Sequence, residues 1–199
     1  MPVRGRPRGF DRDAALKRAM EVFWSRGYEG AQLVDLTKAM GINPPSFYAA
    51  FGSKEDAFCE AVDLYVATVG AEPMLALERA KTLRNGLRTL IERSIDVALS
   101  TEAGGCMLIL GVINHLPENA GACARLKAAR QITHDLIERR LERAIHDGEL
   151  PESCHVGALA SFFHGVLQAV SFQARDGASR ADLRRLIEPA LAALPGSES

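Results

Sequence analysis

The chain lacks the features that mark membrane and exported proteins. Its longest apolar run, residues 106–113, is interrupted by Gly111 and falls well short of the roughly 20 residues that span a bilayer. The N-terminus is basic but has no apolar segment of the kind found in a secretory signal. We therefore expect no membrane partner and take the cytoplasm as the default compartment.

Cysteine and histidine are also sparse and carry no metal or disulfide pattern. The four cysteines include no C-x-x-C pair, and cytosolic thiols stay reduced, so no structural disulfide is expected. The five histidines are irregularly spaced, and the sequence therefore predicts no metal site. Because a nucleophile elbow, a P-loop and an H-E-x-x-H motif are all absent, we expect no catalytic residues and no cofactor.

Alternation typical of strands is missing as well, whereas helical periodicity runs through most of the 199 residues. Hydrophobic residues make up 47% of the chain and charged residues 25%, an ordinary balance for a globular protein. The sequence predicts an all-α fold of nine or ten helices. The expected helical segments are residues 11–26, 33–40, 44–51, 53–70, 73–83, 87–99, 106–116, 120–146, 153–175 and 179–191.

The most informative segment is residues 32–54, which reads QLVDLTKAMGINPPSFYAAFGSK. Gly41 suits the left-handed conformation that ends a helix. Asn43 can cap the helix that follows, and Pro44 suits its first position because no intrahelical bond needs an N–H there. Two short helices joined by such a turn form a helix-turn-helix, whose second helix enters the DNA major groove.

The residues around this motif match a wider pattern. From Gly41 to Phe58 the chain reads G-I-N-x-x-S-F-Y-x-x-F-G-S-K-E-x-x-F. Over roughly residues 10–60 it resembles the TetR family of bacterial transcriptional regulators. The resemblance implies a three-helix DNA-binding domain in residues 1–60 and a helical effector-binding and dimerisation bundle in residues 61–199. The clearest break in the chain, Gly70 to Pro73, lies beyond a helix that joins the two parts.

The resemblance implies a homodimeric repressor that a small-molecule effector releases from a pseudo-palindromic double-stranded DNA operator. It assigns the outer faces of the last two long helices, including Phe162, to the dimer interface. Two other classes stay open, namely a small helical enzyme and a small-molecule-binding adaptor with a vestigial DNA-binding head. The missing catalytic constellation argues against the enzyme, whereas a proline pair at 44–45 favours the adaptor.

Several side chains are candidates for DNA contact. Tyr48, late in the second helix, and Lys54, at the start of the next one, can reach phosphate oxygens, and the resemblance supports this role. Asn43 and Ser46 carry short polar groups on the side expected to face the groove, where either can bond a base edge or a phosphate.

The chain departs from the family pattern at three positions and adds a basic arm. Gln32 is a poor cap where Thr or Ser usually stands, so one phosphate contact is expected to be missing or made differently. Pro44-Pro45 replaces a frequent basic residue and glycine. A basic arm can lie on phosphates or enter the minor groove, and beside a helix-turn-helix we favour this interpretation over a solvated tail with incidental charge. The arm comprises Arg4, Arg6 and Arg8.

We expect a ligand pocket around the apolar segment that follows Gly104-Gly105. Its predicted lining is Cys106, Met107, Leu110 and His164. As the first residue of a helix, Cys106 would have a favoured thiolate, and the thiolate is the reactive form. It is therefore either a sensor of electrophiles or oxidants, or an inert cysteine that packs as a small hydrophobe.

Overall fold

A computed structural model describes residues 9–111 and 116–195, which fold into helices and contain no β-strand. The all-α prediction is confirmed. The α-helices are α1 Arg12–Gly30, α2 Leu33–Met40, α3 Pro44–Phe51, α4 Lys54–Ala67, α5 Ala71–Arg79, α6 Leu83–Ala98, α7 Met107–Leu110, α8 Ala120–His146, α9 Val156–Arg175, α10 Arg180–Arg184 and α11 Ile187–Leu191, and one 3-10 turn covers Pro117–Asn119.

Short polar side chains at the N-termini explain where several helices begin. Asp11, Asn43, Ser53 and Ser179 each accept a hydrogen bond from a backbone N–H of the first turn of the helix that follows. These bonds satisfy donors that have no partner within the helix. The predicted starts of α1, α3 and α4 are therefore confirmed.

Three predicted segments differ from the structure. Of the helix expected at 106–116, the described residues form α7, Met107–Leu110, and residues 112–115 lie outside the described part. Residues 179–191 form two short helices rather than one. The helix expected at 73–83 begins at Ala71 and ends at Arg79. Pro73 fits its first turn, where N–H groups have no intrahelical partner, so proline does not mark a break there.

One hydrophobic core unites α1, α2, α3 and α4 with α7 and the first half of α8. Phe23, Phe47 and Phe58 are fully buried in it, and Met107 and Leu126 enter it from the C-terminal part. The DNA-binding helices therefore rest on α7 and α8 rather than on a linker.

A second core contains α5, α6, the rest of α8, α9, α10 and α11. Leu87, Ile91, Ile137 and Phe163 are fully buried there. Helix α4 runs across residue 60, so the division into residues 1–60 and 61–199 stays a prediction about folding units.

Candidate DNA interface and effector cavity

The turn between α2 and α3 has the geometry of a helix-turn-helix. Gly41 adopts φ 69° and ψ 32°, and the N–H of Ile42 donates to the carbonyl of Thr37 at 3.1 Å. Asn43 then caps α3, with its side-chain oxygen 2.9 Å from the N–H of Ser46. Only a residue that tolerates positive φ can end α2 in this way, which explains the glycine.

α3 is held against the neighbouring helices by its aromatic side. Phe47 and Phe51 are buried in the first core. Arg12 of α1 lies over the ring of Phe51 at 4.5 Å, donates to the carbonyl of Ala50 at 3.2 Å and pairs with Glu60 at 2.7 Å. Sequence reasoning missed Arg12, because nothing in its spacing indicates partners 38 and 48 residues away.

The opposite side of α3 faces solvent. Tyr48 is 52% exposed, Asn43 and Pro44 are exposed, and Ser46 is half-buried. No acidic residue lies within α3, so this face presents no charge that would repel phosphate. Pro44 and Pro45 occupy the first turn, where the missing N–H groups cost no intrahelical bond.

Lys54 is the first residue of α4, and its side chain is half-buried. Its ammonium is 4.6 Å from the centre of the Tyr28 ring, a cation–π contact that limits where the side chain can point. Burial lowers the pKa of Lys54, whereas the nearby Glu29 carboxylate opposes that shift.

Gln32 is exposed and makes no capping bond to α2. Its side-chain amide instead donates to the carbonyl of Glu29 at 3.1 Å, as expected for a poor cap. The predicted arm of Arg4, Arg6 and Arg8 lies outside the described residues.

A small apolar cavity of about 60 Å³ lies inside the C-terminal part. Six helices, α4 to α9, contribute to its lining. The lining residues are Tyr65, Gly70, Pro73, Met74, Ser94, Val97, Ala98, Cys106, Leu108, Ile109, Arg130, Thr133, His164, Leu167 and Ser171. Pockets that hold small organic ligands typically measure about 300–1,000 Å³. A ligand of that size would therefore have to push these helices apart.

Two residues of the predicted pocket line this cavity and two do not. Cys106 and His164 are in the lining. Met107 is fully buried in the first core, and Leu110 is buried with its side chain near Gly105, so neither reaches the cavity. The short α7 turns the side chain of Met107 into the first core and places that of Leu110 against the backbone at Gly105.

The cavity's titratable groups are mostly neutral. Burial raises the pKa of the Cys106 thiol, and the Tyr65 hydroxyl donates to its sulfur at 3.3 Å. Burial also raises the pKa of Tyr65 well above its ordinary value. Burial lowers the pKa of His164, with repulsion from His134 and Arg130 adding to the effect. The favoured thiolate predicted for Cys106 is therefore wrong, because desolvation outweighs the pull of a four-residue helix.

Arg130 supplies the cation of this site. Its guanidinium donates to the carbonyl of Leu108 at 2.7 Å, and burial lowers its pKa. An arginine remains protonated in proteins even when its pKa falls. The cavity thus combines apolar walls, neutral hydrogen-bonding groups and one positive charge.

The segment 104–111, which we name the strap, joins the cavity to the DNA-binding head. At one end the indole N–H of Trp24 donates to the carbonyl of Gly105 at 2.7 Å. At the other end the backbone N–H of Tyr28 donates to the carbonyl of Gly111, also at 2.7 Å. Both donors belong to α1, so the last turns of α1 follow the position of the strap.

Two residues of α9 complete this junction. Arg175 donates to the carbonyls of Gly104, Trp24 and Ser25 at 3.1–3.3 Å, which clamps α9, the strap and α1 together. The hydroxyl of Ser171, which also lines the cavity, accepts the backbone N–H of Cys106 at 2.7 Å. Sequence reasoning missed Trp24, Ser171 and Arg175, since their partners are 65 to 151 residues away.

Comparison with known proteins agrees with this architecture. Residues 15–61 match the model of the bacterial regulatory proteins of the tetR family. The HTH-type transcriptional repressor ComR of Escherichia coli (strain K12) is 33% identical over 186 residues, covering 92% of this chain and 88% of ComR. The E. coli repressor BdcR is 29% identical over 185 residues, covering 89% of this chain and 85% of BdcR.

A solved structure extends the likeness to a DNA complex. The TetR family regulator CifR, in a cysteine-substituted form complexed with a 26 bp double-strand operator, superposes with a TM-score of 0.91. It is 42% identical to this chain, and the match covers 96% of this chain and 100% of CifR.

The fold, the helix-turn-helix and the apolar cavity among the C-terminal helices define a helical, DNA-binding transcriptional regulator. The chain belongs to the TetR family, as its residues 41–58 indicated. None of the helices in the described ranges is both long and apolar enough to cross a membrane.

Proposed function

We propose that this protein is a repressor that holds its operator when the cavity is empty and releases it when an effector fills the cavity. It acts as a regulator rather than an enzyme, on chromosomal DNA in the cytoplasm. The observation that carries the proposal is the strap, because it bonds the cavity wall to α1 at both ends. Helix α3, held from behind by Arg12, presents its exposed face to the major groove.

Phosphate contacts position α3 on the duplex. Tyr48 is exposed late in α3, and Lys54 follows at the start of α4, so both flank the groove-facing surface. We assign them to the DNA backbone, and we assign base edges or phosphates to Asn43 and Ser46. The arm of Arg4, Arg6 and Arg8 adds positive charge ahead of α1.

A second copy of the chain completes the operator-binding unit through α8 and α9. Phe162 and Phe172 of α9 are 42% and 51% exposed, and Ile132 of α8 is 47% exposed. Ser161 and Gly165 lie on either side of Phe162 in the sequence and are also exposed, which lets a partner helix approach closely. Val170 of the same helix is buried in the second core and does not belong to this face.

The effector is an apolar molecule with a hydrogen-bond acceptor that reaches Arg130. Apolar side chains make up most of the walls, and Arg130 is the cation among the residues that line the cavity. Tyr65, Cys106 and His164 are neutral at physiological pH and offer hydrogen bonds without charge. The site therefore favours neutral or weakly acidic molecules and disfavours cations.

We expect the effector to act by expanding the cavity. A ligand larger than the cavity separates the α7 strap from α9, and the strap carries the end of α1 with it. The two arrangements differ in head position, so the effector favours the one that fits DNA poorly. This mechanism needs no covalent modification of Cys106.

Selection of genomic fragments by the purified protein tests the DNA-binding part. We expect a small set of pseudo-palindromic fragments whose affinity falls steeply with salt, as phosphate contacts require. A protein that prefers no fragment at any salt concentration would be no repressor, and the adaptor interpretation would replace it.

Fluorescence of Trp24 tests the effector part. Trp24 is the single tryptophan of the chain, and its indole bonds the strap directly. In a screen of small molecules against the protein–operator complex, compounds that release DNA are expected to change this emission. Release without any change at Trp24 would separate effector action from the strap.

A further inference from the structure

A group of side chains that the proposed function does not use meets on α8, beside its packing with α9. Nδ1 of His134 lies 3.7 Å from a carboxylate oxygen of Asp135 and 3.9 Å from one of Glu138. These three atoms all lie within 4.8 Å of one another. None of the three residues lines the effector cavity, so the group is a separate feature.

The imidazole of His134 is fixed in place from its other side. Nε2 lies 3.2 Å from the hydroxyl of Ser161 on α9, and the ring packs edge-on against His164 with centroids 5.9 Å apart. Nδ1 is buried and makes no hydrogen bond to any described residue. A buried nitrogen without a hydrogen bond calls for a bound partner, because such groups are otherwise costly.

The surroundings of Nδ1 indicate which partner fits. In the tautomer whose Nε2 proton is donated to Ser161, Nδ1 carries a lone pair, and this nitrogen lies within 4 Å of carboxylate oxygens of both Asp135 and Glu138. A lone pair facing two carboxylates is repulsive until a cation lies between them. One imidazole nitrogen with two carboxylate oxygens is a donor set that zinc and related transition metals use.

We propose that His134, Asp135 and Glu138 bind a divalent transition-metal cation of the zinc class. His134 and Glu138 are four residues apart and so share a face of α8. Ligand atoms about 2.0–2.2 Å from a tetrahedral ion lie roughly 3.4 Å apart, so small side-chain rotations close the present distances. Three protein ligands leave a coordination position for water.

Cobalt(II) is the probe, because its absorption spectrum distinguishes this donor set from cysteine. The full-length protein is titrated with Co²⁺, and its oligomeric state is measured in the same samples. We expect one ion per chain with the visible d–d bands of a tetrahedral ion bound by nitrogen and oxygen, and no thiolate charge-transfer band. His134→Gln and Glu138→Gln should each weaken binding by more than about tenfold.

Matched controls lie on the same helix. Glu142→Gln removes a carboxylate one turn further along α8, and His146→Gln removes an exposed imidazole that lies 2.9 Å from its own carboxylate neighbour, Asp147. Both should bind Co²⁺ as the unaltered chain does. The far-UV circular dichroism of every variant shows that the helices are intact.

Three results would overturn the proposal. The first is the absence of Co²⁺ binding to the unaltered chain. The second is a thiolate charge-transfer band, which would place the ion on cysteines. The third is binding that survives both Gln variants. Operator affinity without metal is measured in parallel, so failure here is separate from failure of the repressor function.

Discussion

The DNA-binding head and the effector cavity are held together by contacts of different range. In the head, Asn43 and Ser53 each bond an N–H three residues ahead, and Gly41 ends α2 through bonds within four or five residues. Around the cavity, Tyr65 bonds Cys106 across 41 residues, and Arg175 bonds Trp24 across 151. The caps and the turn of the head therefore depend on near neighbours, although Arg12 also bonds Ala50 and Glu60 across 38 and 48 residues, whereas the cavity walls depend on helix packing.

This difference explains how one chain combines a DNA-binding surface of fixed shape with a cavity that can change shape. α3 keeps its shape because Phe47, Phe51 and Arg12 hold it from behind. The cavity of about 60 Å³ must expand to accept a ligand, and its walls are joined to α1 by the strap.

Phe162→Glu is expected to have the largest effect on operator binding. It places a charge on the exposed face of α9 that we assign to the dimer interface. Loss of the second head removes avidity, so operator affinity should fall by at least about 100-fold. Light scattering and operator titration measure both effects. Leu75→Glu, at an exposed leucine of α5, is the control and should stay dimeric. A Phe162→Glu dimer with normal affinity would contradict the assignment.

Arg175→Ala removes the clamp between α9, the strap and α1. The side chain donates to three backbone carbonyls, so the free energy of unfolding should fall by about 2 kcal/mol. Chemical denaturation followed by circular dichroism measures this loss. Arg185→Ala is the control. This exposed arginine pairs with Asp182, three residues earlier, so its loss should change the unfolding free energy by less than about 0.5 kcal/mol. Equal effects of the two substitutions would remove the special role of the clamp.

Lys54→Ala should weaken binding to specific and non-specific DNA alike. Loss of one phosphate contact lowers the slope of log affinity against log salt concentration by about one unit. Lys81→Ala, in the exposed turn before α6, is the matched control and should leave the slope unchanged. A Lys54→Ala protein with the full salt slope would place the lysine away from the phosphates.

Tyr48→Phe removes one hydroxyl from the exposed face of α3. We expect a loss of about 1 kcal/mol in operator binding, with no change in sequence preference. Competition between operator variants measures both quantities. A change in preference would move Tyr48 from the DNA backbone to a base edge.

Cys106→Ala should have the smallest effect on operator affinity. Burial raises the thiol's pKa above its ordinary 9.0, so at neutral pH the thiolate fraction is smaller than that of a free cysteine. Alkylation should therefore be slow at pH 7 and should still be rising with pH above 9, where the rate for a free cysteine begins to level off. Operator titration of Cys106→Ala checks the affinity, and mass spectrometry of labelled peptides measures the alkylation rate of Cys106 at each pH. Rapid labelling of Cys106 at neutral pH, accompanied by DNA release, would restore the sensor hypothesis.

The sequence was sufficient where structure depends on near neighbours. Gly41, Asn43 and Ser53 have side chains or backbone preferences that determine the next turn, so the head could be predicted in detail. The strap could not, because the partners of Trp24 and Arg175 are set by the packing of α1, α7 and α9. Cys106 was misjudged for the same reason, since its burial depends on neighbouring helices that its own segment does not reveal.

The histidines show a further limit of sequence reasoning. Taken as a set, they are irregularly spaced and predicted no metal site. Glu138, four residues after His134, was visible in the sequence, but such pairs are common on solvated helices. Only the packing of α9 against α8, which buries Nδ1 and directs Nε2 to Ser161, makes this pair distinctive.

Amide hydrogen exchange tests whether the cavity is coupled to the DNA-binding head. The experiment needs no known effector. Because coupling is reciprocal, a site that influences operator binding must respond when the operator binds. We predict that operator DNA slows exchange at the backbone amides of residues 104–111, and that Arg175→Ala reduces this protection. Exchange in the strap that is the same with and without operator would contradict the account.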